Sequence, residues 1–315
     1  MTELVLPPGV LAAVRRPRVG YALTIVAAAL FAINGAVSKV ALDTGEISTL
    51  RWTELRSTGG FVGLAIGLAL IAPQRLRIET RRDLGRFVFY GIVGFALVQW
   101  FYFVAIKRLP IGIGLLFEFT APVLIALWAR FAWKEPVRRR VWPALGLVVF
   151  GLALVAQIWN GLTLDGIGVI AGLLAAVTLA VYYLMGERLV GRRDPVSVVC
   201  FGLGFASLAW AIVLPWWSFP TAALGVSVDL PHGIASVPIG ALALWGIVLG
   251  TIVPFSLSIA ALKHLPATTV GIVATSEPVL AALVAWVWLG ESLAAVQLAG
   301  GAVVLVGIVL AETSR

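Results

Sequence analysis

Residues 105–154 read AIKRLPIGIGLLFEFTAPVLIALWARFAWKEPVRRRVWPALGLVVFGLAL, and residues 261–310 read ALKHLPATTVGIVATSEPVLAALVAWVWLGESLAAVQLAGGAVVLVGIVL. A shift of 156 residues lays Lys107, Leu109, Pro110, Pro122, Val123, Leu124, Glu135 and Gly151 on Lys263, Leu265, Pro266, Pro278, Val279, Leu280, Glu291 and Gly307. Self-similarity at a fixed period marks a duplicated unit. A weaker match at a shift of 148 pairs Ala27 and Ala28 with Ala175 and Ala176, and the change of shift leaves eight extra residues for the loop between them.

The composition says where such a unit lives. Of 315 residues, 61% are hydrophobic and 12% charged, and the mean hydropathy of +1.03 lies far above that of a water-soluble chain. A spanning helix takes roughly 20 apolar residues, so ten of them would use about 200 and leave only short loops. That excludes a cytosolic enzyme. The single cysteine, Cys200, excludes an internal disulfide framework or thiolate cluster. The net charge of +8 does not point to nucleic acid, because the basic residues sit in short tracts between apolar segments.

Apolar runs between charge and proline breaks predict helices near 19–40, 48–72, 84–105, 111–131, 142–159, 165–186, 196–214, 239–262, 267–289 and 293–311. The expected fold is therefore all-α and polytopic, with a 1–18 cytoplasmic segment and two five-helix units over 19–159 and 165–311. Arg15, Arg16 and Arg18 directly precede the first run, which predicts an uncleaved first helix. With both termini cytoplasmic, 18 of the 23 basic residues fall inside, which favours this orientation. Because five is odd, the second unit enters the membrane inverted, an arrangement typical of transporters that hold substrate near the midplane. The loop from Pro215 to Pro238 falls outside, with Trp216 and Trp217 as interfacial anchors.

The two quoted stretches resemble the EamA repeats of the drug/metabolite transporter superfamily, with their short Leu-Pro turn, mid-helix proline, Lys-Glu or Gly-Glu helix end and Gly-containing last helix. GIGLLFEFTAP at 112–122 together with SEP at 276–278 is similar to the threonine/homoserine exporter branch. The resemblance implies efflux of small amino acids or related metabolites. The halves differ where Glu187 matches Lys39 and Ala274 matches Glu118.

Pro122 and Pro278 sit about eleven residues into their helices, where proline removes a donor and displaces the carbonyl four residues earlier. Each break must face other helices or a wet cavity; it either shapes packing or forms a hinge or binding niche. Glu118 and Glu277 are the leading candidates for substrate binding or proton coupling. Measured from the aligned prolines they point within about 60° of each other, roughly 10 and 15 Å from the nearer membrane surface. An intramembrane carboxylate costs roughly 2.5 to 3.5 kcal/mol unless protonated, paired or hydrated, which suits cation binding or proton relay.

Arg56, about 12 Å into its helix at helical rise, is the expected partner of such a charge or the receptor of a substrate carboxylate. It shares a stripe with Gly60, Gly63 and Gly67 that suits either intramolecular packing or a homodimer. Asn34, Gln99, Trp100, Tyr182, Tyr183 and Trp245 are candidates for cavity lining. Arg51 and Glu54 read as a local pair, and Glu135 and Glu291, at helix ends before the next helix, as N-terminal caps or loop residues.

No enzyme constellation, cofactor motif or metal site is expected. His232 and His264 fall on opposite membrane sides, and no Walker loop offers ATP as the energy source. The sequence thus predicts a ten-helix carrier exporting a small metabolite, most plausibly an amino acid, across the plasma (inner) membrane by alternating access and a proton gradient. The alternatives are a metabolite or nucleotide-sugar exchanger without proton coupling, and a non-transporting membrane enzyme or scaffold.

Overall fold

The computed structural model describes residues 16–78, 80–121, 123–124, 141–156 and 164–312. Helices dominate: α1 Pro17–Asp43, α2 Thr49–Ile71, α3 Arg81–Arg108, α4 Ile111–Glu118, α5 Val141–Ala156, α6 Gly166–Val190, α7 Pro195–Val213 and α8 Ile239–Ala261. Helix α9 runs as Ala267–Ala274 and Ser276–Val284 with a further turn over Ala285–Leu289, and α10 is Ala295–Glu312. Seven described helices are long and apolar enough to cross a membrane, and Trp142–Val155 and Ala295–Leu310 are shorter apolar helices. Pro122, Glu135 and the end of the fourth expected helix lie outside the described residues.

Helix starts follow local chemistry. The side chains of Ser48, Thr80, Asp165 and Asp194 accept from the backbone N–H groups of Arg51, Asp83, Gly168 and Ser197. Asp165 lies in an exposed turn, where the Gly168 N–H, with help from Arg108, holds its carboxyl below the usual range. That cap is present at neutral pH and is lost only as the pH falls through the lowered value. α9 stops at Gly290, whose φ of 71° is left-handed.

Helices of one sequence half pack on helices of the other. α1 lies against α8 and α9, α6 against α3 and α4, α2 against α7, and α5 against α10. The α5–α10 contact is close because a Cβ on Gly151 would lie 2.7 Å from the Gly300 carbonyl, and one on Gly300 2.8 Å from that of Gly151. On α2, Gly60 faces Leu203 and Thr251 while Gly63 faces Ile252. Those two glycines therefore serve packing within the chain, against α7 and α8.

Two irregularities recur at the 156-residue shift. π-helical segments interrupt α3 at Tyr90–Leu97 and α8 at Val248–Ile252. The chain also breaks at Phe119–Thr120 after α4 and at Thr275 inside α9. Hydroxyls cover carbonyls at both breaks: Thr120 Oγ1 donates to Phe117 O at 2.7 Å, and Ser276 Oγ to Val273 O at 2.8 Å. In an apolar setting this is how a broken helix keeps its backbone satisfied.

The long connection is more ordered than its sequence suggests. Ser227–Asp229 pairs antiparallel with Ser236–Pro238, and His232 and Gly233, with φ of 64° and 66°, turn the chain between them. This two-stranded hairpin is an addition to the expected all-α fold. Arg51 anchors its approach by donating to the carbonyls of Leu214 and Ser218 and to Ser218 Oγ, and the expected Arg51–Glu54 pair forms at 2.6 Å.

Candidate functional site

A cavity of about 70 Å³ lies among α1, α2, α3, α4, α6, α8 and α9. Its polar lining is Asn34, Arg56, Gln99, Tyr102, Glu118, Tyr182, Tyr183, Ser258 and Glu277. Thus α4 brings one carboxylate from the first half and α9 another from the second. At the 156-residue shift each faces an alanine, Ala274 for Glu118 and Ala121 for Glu277. Aromatic rings make much of the remaining wall, with Phe31 edge-on to Phe255 at 4.9 Å and Tyr182 edge-on to Phe255 at 5.7 Å.

Both carboxylates sit at helix breaks. Glu118 is the last residue of α4 before the chain turns at Phe119, and Glu277 lies in the first turn after the break at Thr275. A helix start presents unpaired N–H groups and a partial positive charge, which favours an anion at Glu277. Among the described residues neither side chain has a hydrogen bond or ion-pair partner. Glu118 is nevertheless 7% exposed, so its charge faces the cavity rather than open solvent.

Arg56 has another occupation. Only 1% exposed, its Nε donates to Thr251 Oγ1 at 3.0 Å and Gly246 O at 3.3 Å, and Nη2 donates to Gly250 O at 2.5 Å. With its amide oriented to satisfy both groups, Asn34 accepts from Nη1 and Nη2 at 3.3 Å. The Phe103 ring lies 4.8 Å from the guanidinium carbon. The sequence offered a carboxylate partner or a substrate carboxylate for this residue. The structure shows it donating to carbonyls and a hydroxyl at and just before the π-helical segment of α8, where a five-donor fork is well used.

Gly250 belongs to the same knot, because a Cβ there would collide with the Asn34 side chain. Gly250→Ala is therefore expected to lower stability by about 1 to 3 kcal/mol, read as a fall in the unfolding midpoint of purified protein. Unchanged stability would mean that Asn34 is free to move aside.

Of the residues expected to line a cavity, Asn34, Gln99, Tyr182 and Tyr183 do so. Trp100 packs instead on Phe101 and Trp210, and Trp245 joins the apolar cluster around Trp52 and Leu242. Pro278 borders a different space between α4, α9 and α10, and Pro122 lies outside the described residues. Tyr102 and Ser258 were missed. Each is an ordinary member of an aromatic or small-residue run, and only the packing turns it inward.

At the hairpin end of the bundle a second polar cluster ties α1 to the α9–α10 turn. Lys39 Nζ lies 2.7 Å from Glu291 Oε1 and donates to Leu109 O at 3.0 Å, while Glu291 Oε2 accepts from the Ile111 N–H at 2.9 Å. Glu291 does cap a helix, but it caps α4 in the other half rather than its own neighbour α10. Glu291→Gln keeps an acceptor for Ile111 and loses the charge opposite Lys39. A cost of about 1 to 2 kcal/mol is expected for this half-buried pair, and a wild-type unfolding midpoint would reduce it to a surface contact.

Apolar helices of membrane-spanning length around a cavity that holds Glu118, Glu277 and Arg56 define a polytopic membrane protein. The chain belongs to the EamA-like transporter family, which it matches over residues 18–157 and 166–313. It is similar to the threonine/homoserine exporter RhtA of Escherichia coli (strain K12), at 32% identity over 75% of this chain and 74% of that one. It is also 29% identical to an uncharacterized transporter of Archaeoglobus fulgidus, over 82% of this chain and 89% of that one. A solved crystal structure, 21% identical, superposes with a TM-score of 0.61 over 93% of this chain and 96% of the other, and so shares the fold.

Proposed function

We propose that the chain is a secondary exporter of small amino acids in the inner membrane, driven by the proton gradient through alternating access. The observation that carries this reading is that Glu118 and Glu277 line one cavity, neither with a hydrogen-bond or ion-pair partner among the described residues. A cavity carboxylate without a cation must be hydrated, protonated or occupied by a positively charged ligand. Proton and substrate ammonium then compete for one site, which is the simplest form of antiport. The threonine/homoserine exporter relative supports the amino-acid assignment.

The proposal includes ten spans in two inverted repeats with both termini cytoplasmic. The recurrence of π segments and breaks at one sequence shift supports the repeat, and the distribution of basic residues supports the orientation. In this topology the Lys39–Glu291 pair and the hairpin lie on the outer side, and Glu118 and Glu277 near the midplane. The two helix breaks would be where each repeat bends during the exchange of access.

The test is flux of labelled threonine and other small amino acids in vesicles containing the purified protein, with and without an imposed pH gradient. Accumulation against the substrate gradient only when protons run the other way is the expected result. Counterflow that ignores the pH gradient would replace proton antiport by substrate exchange, and no flux of any amino acid would remove the substrate class.

A further inference from the structure

Resting on the reading of this cavity as the transport site, we propose that it recognises its substrate through the ammonium group and takes no part of its affinity from the carboxylate. The argument is the balance of donors and acceptors around the space. Glu118 and Glu277 bring two acidic side chains, neither paired with a protein cation among the described residues. Gln99 adds another acceptor, and its orientation is fixed: Nε2 donates to Phe95 O at 3.1 Å, and a carbonyl can only accept. The amide oxygen is therefore the end left over, and Gln99 Oε1 is buried with no protein partner.

On the donor side Arg56, the one cation in the lining among the described residues, is committed. A carboxylate binds an arginine best as a bidentate ligand, across either the Nε and Nη2 edge or the Nη1 and Nη2 edge. Gly246, Gly250 and Thr251 occupy the first edge of Arg56, and Asn34 occupies the second. Among the described residues, what remains to donate into the cavity is neutral, chiefly the Tyr102 hydroxyl, which has no partner there. An ammonium finds charged acceptors and a neutral amide oxygen for its three N–H groups. The rings of Phe31, Phe255 and Tyr182 in the wall add no positive charge to it. A carboxylate placed in the same space meets two acidic side chains and no free cationic fork. In an exporter of amino acids it must therefore lie away from the two glutamates or be carried as a tolerated passenger.

The experiment compares three compounds on the purified wild-type protein: threonine, threoninol, which lacks the carboxylate, and N-acetylthreonine, which lacks the ammonium. Binding is read as the shift of the thermal unfolding midpoint with ligand concentration, because a ligand that binds only the folded state stabilises it. Flux of labelled threonine is measured separately. Threoninol is expected to bind within about threefold of threonine, and N-acetylthreonine at least about tenfold more weakly. Strong binding by N-acetylthreonine with weak binding by threoninol would overturn the proposal and return Arg56 to the role of carboxylate receptor. Equal binding by both analogues, weak binding by both, or no shift with any compound would also overturn it. Ammonium-selective binding without threonine flux would leave the recognition rule standing and remove only the amino-acid export reading, so the two can fail independently.

Discussion

Replacement of Glu118 or Glu277 by glutamine is expected to reduce pH-gradient-driven export at least about tenfold while leaving the fold at wild-type stability or above. Glutamine has nearly the shape of glutamate and cannot carry the charge. Among the described residues neither carboxylate has an ion-pair partner to lose, so the substitution orphans no cation. A buried unpaired charge is an energetic burden, and removing it relieves desolvation rather than breaking a contact. Loss of flux with an unchanged or raised unfolding midpoint is the signature of a functional charge. Flux at the wild-type rate in both variants would remove these residues from coupling, and loss of flux together with a large fall in stability would make them structural.

The opposite pattern is expected at Arg56. Arg56→Met removes the donors to Gly246 O, Gly250 O and Thr251 Oγ1 in one step; Gly246 O keeps the Thr251 hydroxyl as a donor, while the buried Gly250 carbonyl and the Asn34 amide oxygen lose theirs. Such losses cost about 1 to 3 kcal/mol for each orphaned group, so a total of about 3 to 5 kcal/mol is expected for the knot. Arg56→Lys keeps the charge and loses the fork, and so should fall between wild type and Arg56→Met. The expected readings are a large drop in the unfolding midpoint and loss of transport for every substrate alike. A methionine variant with wild-type stability and weakened binding only of carboxylate-bearing substrates would show that the guanidinium serves the ligand.

The contrast between these residues explains what could be read in advance. A charged or amide side chain inside a long apolar run stands out, because hydrocarbon does not tolerate it without a reason. That rule found Glu118, Glu277, Arg56, Asn34 and Gln99, all of which line one cavity. It could not say what Arg56 holds, since its acceptors are main-chain carbonyls 190 and 194 residues further along the chain. Backbone acceptors carry no sequence label; Pro254, four residues after Gly250, has no N–H to offer that carbonyl, and the π segment at Val248–Ile252 interrupts the ladder around it.

The aromatic candidates divided for a related reason. Tyr182 and Trp100 look alike in sequence, yet one lines the cavity while the other packs on Phe101 and Trp210. A helix hydrophobic all round shows no periodic face by which to choose between them. The hairpin at 227–229 and 236–238 was hidden because three-residue strands are too short for alternation to register. The Lys39–Glu291 link joins the ends of different helices, so no local spacing signals it.

The central claim is that substrate and proton exchange at one pair of carboxylates, and the most direct measurement is proton release on binding. Purified protein in weakly buffered solution with a pH indicator would be titrated with threonine, for wild type and for the Glu118→Gln, Glu277→Gln double variant. The account predicts that saturating substrate displaces protons from the wild-type protein and none from the double variant. Binding of threonine to the wild type with no proton release at any pH within the transport range would contradict it.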